Sequence, residues 1–365
     1  MGGKSRKNIP TFYHILPLLL KTFSQGRFSA KNDSGKKSLN LFVNRYFECR
    51  ETQNFYLFLF LAINNCSDKK TKWYFCRRNR NRMEKKSDKK FIDLENIIRS
   101  KNPKLLKMLP RFVLNKIKKI IHENDVNDFI KNHGHNYDFD FANAIIREFR
   151  VNVIVKGIEH VPEKGGVIMA SNHPLGGFDA MVLLHAISNK RMDVKFLVND
   201  ILLQLENLKN LFIGVNKHGK NSSDFIRDID KLYSSDKGIF VFPAGLVSRK
   251  QNGVIKDLEW KKSFVSKAKQ HNKNIVPVFI DGKNSGRFYN LALWRKKLGV
   301  KTNIEMLFLV DELYRQQGKT ITIIFGKALP HQIFDSQFTD QEWAQKIKEH
   351  AYSLSSGDLN KRIAE

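Results

Sequence analysis

The sequence has little cysteine, little acidic charge and no long apolar run. Only Cys49, Cys66 and Cys76 occur in 365 residues, with none after position 76. None has metal-ligand spacing, and three thiols in so long a chain make no disulfide framework, which suits a reducing compartment. The longest apolar run, FYLFLFLAI from Phe55 to Ile63, is well short of the ~20 residues a bilayer core demands, so no transmembrane helix is expected. Upstream, IPTFYHILPLLLKTF carries two prolines and no small-residue cleavage pattern, which speaks against a secretory signal. The default location is cytoplasmic, with peripheral attachment to the inner face of the membrane left open. Acidic residues number 36 against 64 Lys and Arg, a formal net charge of +28. Such a surface attracts phosphate, acidic protein or anionic lipid without distinguishing them.

What is present divides the chain. Residues 1–82 carry 17 Lys and Arg against 4 Asp and Glu, show no sustained period and end in CRRNRNR directly before Met83. They are expected to be a basic leader, disordered or not part of the natural chain. Residues 83–150 turn helical: Leu105, Leu109, Phe112, Val113, Ile117, Ile120 and Ile121 recur at three and four, with Lys104, Lys107, Arg111 and Lys118 mostly opposite. This basic amphipathic segment, which Pro110 should kink or split, suits either a lipid headgroup region or a helix covering the core. Residues 151–330 alternate β-rich runs (VNVIVKG, GGVIMAS, VKFLV, LFIGV, GIFVFP, NIVPVFI, TITIIFG) with helical candidates at 180–187, 223–233 and 257–271. Residues 331–365 hold a last helix, opened by Thr339 and Glu342 at capping-box spacing. The expected fold class is α/β: a mixed, mostly parallel sheet flanked by helices, preceded by an N-terminal helical segment.

The stretch MASNHPLGGFDAMVLL, Met169 to Leu184, concentrates the chemistry. A buried strand leads into it and a helix leaves it, and ligand sites in open α/β sheets gather at the carboxyl ends of strands. His173 there can act as a general base near neutrality, and Asp179 can hold its imidazole in one tautomer and stabilise the imidazolium. Gly176 and Gly177 let the backbone fold so that the two meet and leave room for substrate. Asp179 could instead simply cap the next helix.

The string N-H-P-x-G-G-x-D at a strand exit resembles the glycerolipid, or lysophospholipid, acyltransferases, in particular the branch of bacterial hemolysin-like proteins. That branch also has five residues between the His and the Asp, here PLGGF. Further blocks follow in the family's order. LFIGVNKHGK places Lys217 near the family's phosphate-contacting arginine, FPAGLVSRK has Ala244 where the family has glutamate, and IVPVFIDGKNS matches a strand that shapes the acyl pocket. The resemblance implies a glycerolphosphate-acyltransferase-like fold and transfer of an acyl group from acyl-CoA or acyl carrier protein, as co-substrates, to a lipid acceptor. It implies His173 and Asp179 as the catalytic pair and Asn172, Gly176, Gly177, Lys217, Gly245, Ser248 and Arg249 as substrate-binding residues. No metal and no resident cofactor is required. The acceptor is a lysophospholipid or an amino-acid-based lipid of the ornithine or glycine type, presented at an anionic membrane surface.

Two other classes remain to be weighed. A basic chain with interleaved aromatics is compatible with nucleic acid, but no helix-turn-helix, RNP-like or zinc-finger pattern stands out, so no specific nucleic acid is expected. RFYNLALWRKK (Arg287 to Lys297) suits an interface or a surface helix with buried aromatics. His133 and His135 in HGH have no nearby Cys and no H-E-x-x-H context, so they read as solvated loop residues in preference to metal ligands.

Overall fold

The computed structural model describes residues 90–199, 202–203, 205–214, 222–300, 303–357 and 363. The expectations for residues 1–82, including the three cysteines, and for Lys217 lie outside the described residues. Helices come first: α1 (Leu94–Lys101), α2 (Pro103–Met108), α3 (Arg111–Ile120), α4 (Glu123–His133) and α5 (Asp138–Glu148). Pro110 separates α2 from α3; at φ −60°, ψ 143° it stands outside the helix as the N-cap of α3, where its missing N–H costs no helical bond. Among the described residues no helix is long and apolar enough to cross a membrane.

All seven apolar runs form strands of one sheet. They are β1 (Asn152–Lys156), β2 (Val167–Ser171), β3 (Val194–Val198), β4 (Phe212–Gly214), β5 (Gly238–Val241), β8 (Asn274–Asp281) and β9 (Thr320–Phe325), in the spatial order β1-β9-β8-β2-β5-β3-β4. Every neighbouring pair is parallel except β8 with β9. The sheet is therefore mixed and mostly parallel, and β2, buried along its whole length, lies between β8 and β5. Strands covered on both faces read as continuous apolar runs, which is why they were legible. One face packs against α5 and α6 (Gly177–Ile187) through Phe141, Ile146, Val182 and Leu183. The other packs against α8 (Ser263–Gln270) and α11 (Asp340–Ser353) through Phe264, Val265, Trp343 and Ile347. Helix α11 opens with the Thr339–Glu342 capping box.

Two features differ from expectation. A separate hairpin, β6 (Arg249–Gln251) with β7 (Val254–Lys256), turns at Asn252 and Gly253, whose φ of 48° and 85° are both left-handed. Asn-Gly at such a turn is a strong hairpin signal, but strands of three residues, Arg-Lys-Gln and Val-Ile-Lys, are too short to show a period. The helix expected over 257–271 begins only at Ser263, and the non-helical residues before it carry Asp257 into the interior.

Arg191 ties together the opposite end of the sheet. Nearly buried, it donates to both carboxylate oxygens of Asp193 (2.8 Å each) and to the carbonyls of Pro162 (2.9 Å), Gly165 (3.1 Å) and Asp236 (3.1 Å). A lysine cannot reproduce this planar fork, so Arg191→Lys is expected to cost about 2–3 kcal/mol in urea unfolding at neutral pH. The Arg191 hydrogen bonds hold the Asp193 carboxyl below its ordinary value. That contribution is complete above the unfolded aspartate range and disappears as pH falls through the depressed folded value. The gap between wild type and variant should therefore narrow in acid.

Candidate active site

The site is built where β2 ends between β5 and β8. Asn172, the first residue past the strand, is buried, and its side chain bridges to β8: Nδ2 donates to the Ile280 carbonyl (3.0 Å) and Oδ1 accepts the Ile280 N–H (2.7 Å). Both ends of its amide strap the two strands together at the start of the His173 turn. His173 follows and turns back. Its Nδ1 lies 2.8 Å from Asp179 Oδ2, its ring stacks on Phe242 with centroids 4.2 Å apart, and its side chain keeps 17% exposure.

Asp179 is wholly buried, and its two oxygens also accept the Leu175 N–H at 3.2 and 3.0 Å. Helix α6 starts at Gly177 with Gly176 as its N-cap, so Asp179 is not the cap but stands in the first turn, where the helix dipole favours a carboxylate. Burial pushes the Asp179 carboxyl above its ordinary value, and the His173 hydrogen bond works against that rise. With Nδ1 engaged by a carboxylate, Nδ1 carries the proton and Nε2 is the basic nitrogen.

The glycines differ in what they do. Gly176 has φ +74°, a backbone conformation that requires glycine, and a Cβ there would also come within 2.9 Å of Leu309 Cδ1. At Gly177 an added Cβ would meet only Leu202 Cδ2, at 3.7 Å, an ordinary contact. Gly245 (φ +66°) turns the chain after β5, its N–H donating to the Phe242 carbonyl at 2.9 Å.

Ser248 and Arg249, expected at an anion site, both make hydrogen bonds inside the protein. Ser248 Oγ donates to Asp257 Oδ1 (2.6 Å), and its N–H donates to the His173 carbonyl (2.8 Å). Arg249 is buried, donates to Glu305 Oε1 (2.8 Å) and to the Val247 carbonyl (2.7 Å), and lies 5.4 Å over the Phe288 ring.

Three contributors escaped the sequence reading. Asp257 is buried against the His173 main chain, Asn284 donates to the Pro174 carbonyl (3.1 Å), and Tyr352 accepts the Asp257 N–H (2.8 Å). The only sequence signal for Asp257 was its place just past an Asn-Gly hairpin. The RFYNLALWRKK stretch is helix α9 (Gly286–Lys297), with Phe288 and Tyr289 buried and Trp294 exposed. Of the HGH pair, His133 ends α4 beside Phe129, 3.8 Å from Glu148.

A histidine–carboxylate turn at the mouth of a mixed α/β sheet, in this block order, places the molecule among acyl-transferring enzymes. The family model described as acyltransferase matches residues 96–358, and the chain belongs to that acyltransferase family. Among its relatives are lyso-glycine lipid O-acyltransferases of Bacteroides thetaiotaomicron, 43% identical over 265 residues, and of Phocaeicola vulgatus, 42% identical over 264. The matched stretch is 72% of this chain in both cases, and 97% and 95% of those proteins. A crystal structure of the 1-acyl-sn-glycerophosphate acyltransferase from Thermotoga maritima is similar over 70% of this chain and 95% of that one, with 14% identity and a TM-score of 0.38.

Proposed function

We propose that this acyltransferase moves a fatty acyl group from an acyl thioester to the hydroxyl of a lysolipid built on glycine, with His173 as the general base. The observation that carries the reading is the His173–Asp179 contact of 2.8 Å, which joins a partly exposed imidazole to a fully buried carboxylate. In the proposed step His173 Nε2 takes the proton of the acceptor hydroxyl, and the oxygen attacks the thioester carbonyl. The tetrahedral intermediate then collapses, the C–S bond breaks, and the thiolate takes the proton from the imidazolium. An ester and a thiol result, with no covalent enzyme intermediate.

Three features support a glycine-based acceptor over a lysophosphatidate. The relatives at 43% and 42% identity bear that name. Ala244 replaces the glutamate of the usual third block, and the Arg249 charge is already matched by Glu305. The donor is acyl-CoA or acyl carrier protein, both of which suit a net charge of +28. The test is transfer from each donor to lyso-glycine lipid and to lysophosphatidate. The glycine lipid should be acylated about tenfold faster or more; preference for lysophosphatidate would overturn the acceptor, and inertness toward both would overturn the reaction.

The enzyme meets its acceptor at the inner face of the cytoplasmic membrane through its N-terminal helices. Met108 and Phe112, on either side of Pro110, are 64% and 67% exposed, among exposed Lys107, Arg111, Lys116 and Lys119. This is the composition of an interfacial segment. The M108E/F112E variant should bind anionic phosphatidylglycerol vesicles about tenfold more weakly in sedimentation, while acylating detergent-dispersed acceptor at the wild-type rate. Unchanged vesicle binding would remove these helices from the contact.

A further inference from the structure

The turn that carries His173 is held from a second side by a carboxylate that has no part in the reaction as written. Asp257 is fully buried. Its Oδ1 accepts the His173 N–H (3.2 Å) and the Ser248 hydroxyl (2.6 Å), and its Oδ2 accepts the Trp260 Nε1–H (2.9 Å). Ser248 completes the frame by donating its own N–H to the His173 carbonyl at 2.8 Å. Both main-chain polar groups of His173 are thus tied to the residues immediately before and after the β6–β7 hairpin, Ser248 and Asp257, while its side chain is tied to Asp179 on α6.

We propose that Asp257 is a positioning residue for acyl transfer: its carboxylate locks the His173 main chain and the Ser248 hydroxyl into one frame, and its charge favours the imidazolium that forms as the acceptor loses its proton. The inference rests on reading His173 as the base. A buried anion is costly unless hydrogen-bonded, and a carboxylate that accepts three neutral donors is satisfied without being neutralised. Its field reaches the neighbouring groups: it contributes to the rise of Asp179, and it opposes the burial that pulls the Lys348 ammonium down. The charged and titratable groups around the turn include Asp179 from α6, Tyr289 from α9 and, from α11, Lys348 and Tyr352. Lys348 donates to the carbonyls of Asp257 (2.9 Å) and Leu258 (3.0 Å). The Tyr352 phenol is pushed up by burial, and Lys256 lies 5.3 Å over its ring.

The isosteric change D257N separates frame from charge. An amide has one oxygen for two sides, so its NH2 must face either the indole donor of Trp260 or the donors of His173 and Ser248. The turn loosens, and a displacement of an ångström at a base can cost up to about a hundredfold. D257N should therefore lower kcat about 10- to 100-fold with KM within about twofold. The acid limb of kcat/KM should also move to lower pH, because losing a nearby negative charge destabilises the imidazolium and keeps His173 neutral further into acid. The double variant D257N/W260F removes the opposing indole donor, so the amide oxygen can return to His173. It should regain part of kcat while its acid limb stays at the lower pH, a signature that a purely structural role would not produce. It also supplies the measurement if D257N alone does not fold. Wild-type kcat, or an acid limb at the wild-type pH, in either folded variant overturns the proposal. His173→Ala assayed alongside tells the two failures apart: full turnover there overturns the base itself, whereas loss there with an unperturbed D257N overturns only the role of Asp257.

Discussion

His173→Ala is expected to lower kcat/KM by about 10³- to 10⁴-fold with the fold retained. In the proposed mechanism the described serines beside the turn offer no nucleophile in reserve: Ser171 Oγ donates to the carbonyl of Asn172 and is fully buried, and Ser248 Oγ is committed to Asp257. Without the imidazole the acceptor hydroxyl must attack with its proton in place. The structural cost is modest, because the ring is partly exposed and Asp179 keeps the Leu175 N–H on both oxygens. Loss of one hydrogen bond to a buried carboxylate should lower stability by about 1–3 kcal/mol. His173→Asn is the sharper control, since its amide can reach Asp179 from near the Nδ1 position yet offers no base. Its thermal midpoint should lie closer to wild type than that of the alanine variant, with turnover equally absent. Turnover within tenfold of wild type in either variant would exclude His173 as the proton acceptor.

The sequence carried the sheet and the His173–Asp179 contact better than it carried the long-range partners of the polar side chains. Strands such as VIMAS and NIVPVFI are buried on both faces, so burial itself writes an apolar run. The His173–Asp179 pairing was readable because a strand exit, two glycines and a helix start confine six residues of backbone to few paths. The resemblance implies substrate contacts for Asn172 and, through FPAGLVSRK, for Ser248 and Arg249; the structure shows their side chains bonded to Ile280, Asp257 and Glu305, partners between 9 and 108 residues away. Nothing local reveals which way a polar side chain closes a long-range bond. Asp257 was hidden for a related reason: it was assigned to a helix that begins only at Ser263, so its inward direction could not be seen.

By the same long-range logic Glu305→Gln is expected to be strongly destabilising although it lies away from the His173 turn. Glu305 is fully buried between two cations: Oε1 lies 2.8 Å from Arg249 Nη2 and Oε2 lies 2.9 Å from Arg295 Nε. These side chains keep only 9% and 14% exposure, and burial already pulls the Arg249 guanidinium below its ordinary value, with Glu305 opposing the fall. Arginine cannot escape by losing its proton, so removing the shared anion leaves two desolvated charges facing each other. Breaking a buried pair from one side costs about 3–5 kcal/mol, and that is the loss expected in urea unfolding at neutral pH. Exchanging all three residues for apolar ones of similar volume should recover most of it, because then no charge is stranded. Activity separates this role from a direct one. The group joins β6 to α9 and to the segment that leads into Leu309, whose Cδ1 would lie 2.9 Å from a Cβ at Gly176. A well-folded triple replacement should therefore keep the Gly176 turn packed and retain acyl transfer within about tenfold. Loss of transfer in a stable triple variant would return Arg249 to the substrate and reopen a phosphate-bearing acceptor.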